Sequence, residues 1–187
     1  VRQSLVLLKN ENNALPLSAD DEQTVFIAGY AADNIGIQSG GWTIEWQGAS
    51  ANLTEGTSIR RGLQNAFSEE TTVRYSRTGR FVDSEGELQQ GDVGIVVVGE
   101  EPYAEWFGDD ATLTLSLRDR DLIEKVREQV DTLVVVLLSG RPMIVDESLN
   151  LADAFVAAWL PGTEGAGVAD VLLGEYDFVG MLPYTWP

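Results

Sequence analysis

The side chains most able to do chemistry lie in one segment, Gly99-Glu100-Glu101-Pro102-Tyr103-Ala104-Glu105-Trp106-Phe107-Gly108-Asp109-Asp110. It crowds five carboxylates and three aromatic side chains into twelve residues. The apolar, β-branched run before it, residues 93–98, predicts a buried strand that the following glycine and proline end. Open α/β sheets place their chemistry in loops at the carboxyl ends of such strands. A solvated acidic turn has no need of Trp106 and Phe107, so the segment is predicted to be functional.

The chain contains no histidine and no cysteine. A Ser–His triad, disulfides, thiolate chemistry and most zinc sites are therefore excluded, and no metal site is predicted. Acid–base chemistry near neutral pH must then use carboxylates, Tyr or Lys. A general acid must hold its proton, and apolar neighbours favour the protonated form. Glu105, between Ala104 and Trp106, has the most apolar sequence neighbours of the five acids, whereas Glu100 and Glu101 are weaker candidates at the strand end.

A second candidate segment is the glycine-rich stretch 30–48, which carries Trp42 and Trp46. Loops longer than about 12–15 residues are uncommon unless they are functional. An indole covers the apolar C–H face of a sugar, while carboxylates and amides, here Glu45 and Gln47, bind its rim of hydroxyls. Trp42 and Trp46 are therefore predicted to bind a sugar, although a single tryptophan is more often a core residue.

Charge and motifs exclude several classes of partner. The net charge of −18 at pH 7 repels nucleic acid and anionic lipid, so neither is expected as a partner, and it suits a neutral substrate. No apolar run reaches the roughly 18 residues of a membrane span. The glycines after the first strand do not make GxGxxG, and no Gly-Lys-Ser or Gly-Lys-Thr occurs, so no nucleotide or other cofactor is predicted.

Strand, loop and helix recur along the chain, which is typical of parallel β-α units in a three-layer helix–sheet–helix sandwich, an α/β fold. Strands are predicted at 24–29, 71–75, 93–98, 132–138 and 154–159, and helices at 57–67, 116–129 and 163–173. Residues 1–9 are predicted to end a helix, and residues 30–48 to form a loop in which no helix begins. Residues 1–187 are expected to be one domain. The start at Val1 and the end at Pro187 indicate a piece of a longer chain.

Five segments carry a resemblance to a known family: Ser4-Leu5-Val6-Leu7-Leu8-Lys9-Asn10, Gly40-Gly41-Trp42-Thr43-Ile44-Glu45-Trp46-Gln47-Gly48, Gly99-Glu100-Glu101-Pro102-Tyr103-Ala104-Glu105, Ser139-Gly140-Arg141-Pro142 and Ala157-Ala158-Trp159-Leu160-Pro161-Gly162-Thr163-Glu164-Gly165. In this order they look like the second domain of family 3 glycoside hydrolases. The second and third segments resemble most closely the exo-acting β-glucan glucohydrolases of plants and bacteria.

The resemblance implies an α/β sandwich with a six-stranded, mostly parallel sheet, joined to an amino-terminal (β/α)8-type barrel that carries the aspartate nucleophile. It places the general acid/base on Glu105 and the tryptophan of the second sugar subsite on Trp46, with Trp42 beside it. Other branches of the family keep a glutamate just after the glycine, so Glu100 and Glu101 stay open as alternatives.

The function implied is the acid/base-bearing half of a retaining exo-1,3/1,4-β-glucosidase that releases glucose from β-glucans and β-gluco-oligosaccharides. This chain alone is expected to be inactive, since the nucleophile is not on it. Secretion or a periplasmic location is expected from the polymeric substrate and the acidic surface. The alternative is a non-catalytic carbohydrate-binding domain that uses Trp42 and Trp46.

Overall fold

The computed structural model describes residues 1–187, and at its centre lies one sheet of six strands. These are β1 (Val6–Asn10), β2 (Thr24–Ala28), β3 (Thr72–Ser76), β4 (Gly91–Gly99), β5 (Val130–Leu138) and β6 (Ala154–Trp159). Across the sheet their order is β1-β6-β5-β4-β2-β3. Only β1 runs antiparallel to its neighbour. The predicted six-stranded, mostly parallel sheet is therefore confirmed.

Helices cover both faces of this sheet. They are α1 (Ile35–Ser39), α2 (Ile59–Ala66), α3 (Leu117–Arg127), α4 (Asp146–Leu151) and α5 (Ala166–Leu172), with short 3-10 helices at Tyr30–Asp33 and Glu105–Gly108. Helices α2 and α5 contact each other and share one core, while α3 and α4 contact each other beside the second core. The three-layer α/β/α sandwich is confirmed.

The two cores follow from the alternation of side chains along the strands. In β2, Val25 and Ile27 belong to the core under α2 and α5, whereas Phe26 and Ala28 belong to the core under α3. All four side chains are fully buried. Strands of a parallel sheet covered on both faces must be apolar on both sides. That requirement explains why the central strands read as continuous apolar runs in the sequence.

The strand before residues 99–110 and the helix after them form where the sequence predicts them. The strand predicted at 93–98 lies inside β4. Helix α3 begins after Ser116, whose Oγ accepts a hydrogen bond from the Asp119 backbone N–H at 3.2 Å and donates one to the Asp119 carboxylate at 2.9 Å. The Ser116 hydroxyl thus caps the helix by satisfying the Asp119 N–H, one of the free N–H groups of the first turn.

Two predictions about the remaining elements are wrong, and one helix was not predicted. Residues 1–9 do not end a helix, because Val6–Asn10 pairs with β6 as an edge strand with a bulge between Leu7 and Lys9. A short apolar run does not distinguish a strand from a helix when the partner strand is remote. Helix α1 begins inside the supposed loop 30–48, where the Asn34 side chain caps it by accepting from the Ile37 N–H at 3.1 Å. Helix α4 was not predicted.

Candidate functional site

The order of the strands brings the two candidate loops together. The chain runs from β2 outward to β3 and then returns to place β4 on the other side of β2. Open α/β sheets bind ligands at such a reversal, in the crevice at the carboxyl ends of the two strands. Residues 99–110, here the acid loop, leave the end of β4. Residues 40–48, here the tryptophan loop, follow α1 after β2.

Tyr30 joins the two strands at the base of this crevice. Its O–H donates to the Gly99 carbonyl oxygen at 2.8 Å, and the Arg118 guanidinium carbon lies 3.5 Å from the centre of its ring. Burial raises the pKa of Tyr30, so the phenol stays protonated and remains a donor. Tyr30, which follows β2, is thus bound to Gly99, the last residue of β4.

Arg141 closes the acid loop from below. Its Nε and Nη2 donate to Glu100 Oε1 at 3.0 and 2.6 Å, and its Nη1 donates to the Gly108 carbonyl oxygen. The Tyr103 O–H donates to the other Glu100 oxygen at 3.1 Å. Burial, with the nearby Glu100 charge, raises the pKa of Tyr103 to about 12. The Glu100 side chain is only 12% exposed, so this carboxylate anchors the loop instead of standing free.

The other two glutamates of the acid loop face solvent. Glu101 is exposed, with Oε1 3.5 Å from Arg118 Nη2. Glu105 is exposed as well and begins the second 3-10 helix with a φ of 52°, a left-handed conformation that costs a non-glycine residue about 1 kcal/mol. Its apolar sequence neighbours Trp106 and Phe107 are exposed as well, so within this chain they do not bury the Glu105 carboxyl.

Four exposed aromatic side chains form one surface beside Glu105, and we call it the aromatic surface: Trp42, Trp46, Trp106 and Phe107. Trp46 lies at its centre, with ring centroids 6.4 Å from Trp42, 5.5 Å from Trp106 and 5.8 Å from Phe107. The last two contacts are edge-to-face, as aromatic quadrupoles favour. An exposed apolar patch of this kind marks a binding surface. The sequence did not predict that aromatic residues of two loops would form one surface. Its one indication was that Trp106 and Phe107 lie among acidic residues.

The side chain of Gln47 also joins the tryptophan loop to the backbone of the acid loop. Gln47 Oε1 accepts from the Ala104 N–H at 2.9 Å, and Gln47 Nε2 donates to the Ala104 carbonyl oxygen at 3.3 Å. A Cβ on Gly41 would lie 2.0 Å from the Tyr103 carbonyl oxygen. Both polar atoms of the Gln47 amide thus hold the acid loop. One of its N–H groups and one oxygen lone pair stay free, and the contact of this amide with sugar hydroxyls stays a prediction.

A cleft of about 550 Å³ lies between the acid loop and the start of α3, and Phe107 of the aromatic surface is among the residues that line it. Tyr30, Arg118, Asp119 and Arg141 line it, but Glu105 and Trp46 do not. Burial raises the pKa of Asp119, and its Oδ1 has no hydrogen-bond partner. Glu105, Trp42 and Trp46 thus lie on an open face, whereas the weaker candidates Glu100 and Glu101 line this cleft.

The chain offers no cluster of three or more acidic side chains placed to hold a metal ion. Its helices are all too short or too polar to cross a membrane.

Comparison with known proteins identifies the same family across nearly the whole chain. Residues 5–187 match the family described as the glycosyl hydrolase family 3 C-terminal domain. The fold is similar to the exo-1,3/1,4-β-glucanase from a Pseudoalteromonas species, with a TM-score of 0.87 and 41% identity over 98% of this chain and 24% of that one.

Two curated relatives extend the likeness. A lysosomal beta glucosidase from Dictyostelium discoideum is 35% identical over 99% of this chain and 24% of its own length. A periplasmic beta-glucosidase from Salmonella typhimurium is 28% identical over 100% of this chain and 27% of its own. This chain therefore spans about a quarter of the length of these relatives.

Proposed function

This chain belongs to the glycosyl hydrolase family 3 C-terminal domain family, and on that premise we propose that it supplies the general acid/base of a retaining exo-β-glucosidase. The observation that carries the proposal is the position of Glu105. The residue is exposed beside the aromatic surface, at the switch point between β2 and β4. Glu100 is ion-paired with Arg141, and Glu101 lies near Arg118. Glu105 is the glutamate of the acid loop with no such partner.

Two carboxyl groups about 5–5.5 Å apart perform retaining glycoside hydrolysis. In the proposed reaction, the nucleophile attacks the anomeric carbon while the Glu105 carboxyl gives its proton to the departing glycosidic oxygen. The Glu105 carboxylate then takes a proton from water, which attacks the glycosyl–enzyme ester and releases glucose. The nucleophile would lie on an amino-terminal barrel of a longer chain. This chain spans only about a quarter of the length of its relatives, which agrees with such an additional domain. This chain alone would not turn over substrate.

The open face around Glu105 also agrees with an active site that is shared between two domains. Sugar pockets are concave and bury most of their ligand, but Glu105 and Trp46 lie outside the cleft of this chain. A second domain that covers this face would complete the pocket and exclude water from it. The sugar beyond the scissile bond would stack on Trp46, with Trp42 beside it.

The substrate class follows from the same surface and from the relatives. Neutral β-linked glucose oligomers present apolar faces suited to indole rings. The similar Pseudoalteromonas protein is an exo-1,3/1,4-β-glucanase. We therefore include release of glucose from β-1,3- or β-1,4-linked glucans in the proposal. Export from the cytoplasm is part of it too, since one relative carries the name periplasmic and another lysosomal.

The exposed aromatic surface favours one second candidate, a carbohydrate-binding domain without catalytic residues. Such a domain would use Trp42 and Trp46 to hold a glucan while catalysis occurred elsewhere. The two candidates differ in what they require of Glu105, because a binding domain needs no proton donor.

The test is Glu105→Gln in the full-length protein. For an unactivated β-linked glucose disaccharide, kcat/KM should fall about 10²- to 10⁴-fold, the usual contribution of a general acid. For a dinitrophenyl β-glucoside, whose leaving group needs little protonation, it should change less than about tenfold. Glu101→Gln is the matched control and should leave both values nearly unchanged. Equal losses on the two substrates, or none, would show that Glu105 is not the acid.

A further inference from the structure

We infer that Gln47 is a positioning residue for Glu105, because it fixes the peptide plane from which the Glu105 side chain departs. The inference rests on the proposed function of Glu105. Gln47 lies on the tryptophan loop, 57 residues before Ala104 in the sequence. It does not touch the reacting atoms in this assignment; it acts through the backbone of the acid loop.

The geometry explains how one amide sets the direction of a carboxyl. The Ala104 carbonyl and the Glu105 nitrogen belong to the same planar peptide. The φ angle of Glu105 is the rotation about its N–Cα bond, which sets the direction of the side chain relative to that peptide plane. Gln47 Nε2 holds the carbonyl of this plane, and Gln47 Oε1 holds the N–H of the preceding one. Together they resist the rotation that would relax φ from 52°.

No other group replaces Gln47 in this role. Ala104 is 3% exposed, and its backbone N–H has Gln47 Oε1 as its one hydrogen-bond partner. A buried N–H or carbonyl without a partner costs about 1–3 kcal/mol. Loss of the Gln47 amide would therefore drive Ala104 toward water and let Glu105 leave its left-handed conformation.

The placement of Gln47 also connects substrate contact to proton transfer. Its neighbour Trp46 lies at the centre of the aromatic surface. The close approaches at Gly41 and Gly48, where a Cβ would meet Tyr103 and Pro102, leave the two loops no room to slide. The aromatic ring that would receive the leaving sugar and the carboxyl that would protonate it are thus held as one unit.

The experiment measures kcat/KM of the full-length protein on the two substrates used for Glu105. Gln47→Met keeps the length of the side chain but loses both hydrogen bonds. It should lower kcat/KM for the disaccharide by about 10- to 100-fold, as expected for a misplaced catalytic group, and for the dinitrophenyl glucoside by less than about threefold. Gln47→Glu keeps the acceptor for the Ala104 N–H, so its kcat/KM for the disaccharide should fall below that of the parent but by less than in Gln47→Met. If Gln47→Met fails to fold, Gln47→Glu still tests the inference.

Gln23→Met is the matched control, since the Gln23 amide donates to the Ser18 carbonyl before β2, at the opposite end of the strand. It should leave both substrates unaffected. A structural role alone would lower the two kcat/KM values of the Gln47 variants by equal factors. If Glu105→Gln separates the substrates and the Gln47 variants do not, the inference is refuted and the proposed function stands. If Glu105→Gln fails to separate them, both are refuted.

Discussion

Replacement of Arg141 by methionine removes the clamp at the base of the acid loop. Two charge-assisted hydrogen bonds to Glu100 and one to the Gly108 carbonyl are lost. Breaking a fully buried pair costs about 3–5 kcal/mol, because the remaining charge is left without a partner. The side chains of Arg141 and Glu100 are 26% and 12% exposed, so solvent offsets part of that cost. We expect the free energy of unfolding to fall by about 3 kcal/mol.

The assays are urea unfolding and calorimetry of the purified protein. For a domain of 187 residues, a loss of this size lowers Tm by about 6–12 °C. Glu100→Gln in the Arg141→Met background should restore about 1 kcal/mol, because an unpaired amide is less costly to bury than an unpaired carboxylate. Arg80→Met serves as the control, since the exposed Arg80 side chain makes no ion pair.

The reasoning is refuted if Arg141→Met costs no more than Arg80→Met. It also fails if Glu100→Gln destabilises the Arg141→Met variant further, because Glu100 would then be stabilised by something other than this pair.

Two further substitutions test the contact between the tryptophan loop and the acid loop, and the buried carboxyl of Asp119. Gly41→Ala places a Cβ 2.0 Å from the Tyr103 carbonyl oxygen and should lower kcat/KM for the disaccharide about tenfold or more; Gly140→Ala, whose Cβ lies 3.4 Å from the Tyr103 hydroxyl, should not. Burial raises the pKa of Asp119 above its ordinary 3.8, so the folded chain binds a proton there that the unfolded chain releases, and the free energy of unfolding falls as pH rises through that interval. Asp119→Asn should abolish this part of the fall when urea unfolding is followed as the pH rises above 3.8, and an unchanged slope would contradict it.

The framework of the site could be predicted because its signals are local. The β-branched run 93–98 and the Ser116 helix cap act within a few residues, and both the strand and the helix form as expected. Strand β1 could not be predicted, because Val6–Asn10 is a strand only through its pairing with β6. An edge strand of this kind is determined by tertiary contacts and not by its own composition.

The candidate site shows the same division. Residue types alone marked Glu105, Trp42 and Trp46, since carboxylates and indoles suit acid catalysis and sugar contact. The role of the Gln47 amide was missed, because it depends on where the backbone of Ala104 lies. Exposure of Glu105 was missed for the same reason, since sequence neighbours in a 3-10 helix do not need to cover one another.

The position of β4 between β2 and β5 also determines when the site can form during folding. Helix α3 and the hairpin-like turn around Val82 and Leu88 rely on nearby residues, so they cost little chain entropy to assemble. Contact between Gln47 and Ala104 closes a loop of 57 residues, which costs more chain entropy than those local contacts. We therefore expect the aromatic surface and the Glu105 carboxyl beside it to form together, at the step that pairs β4 with β2.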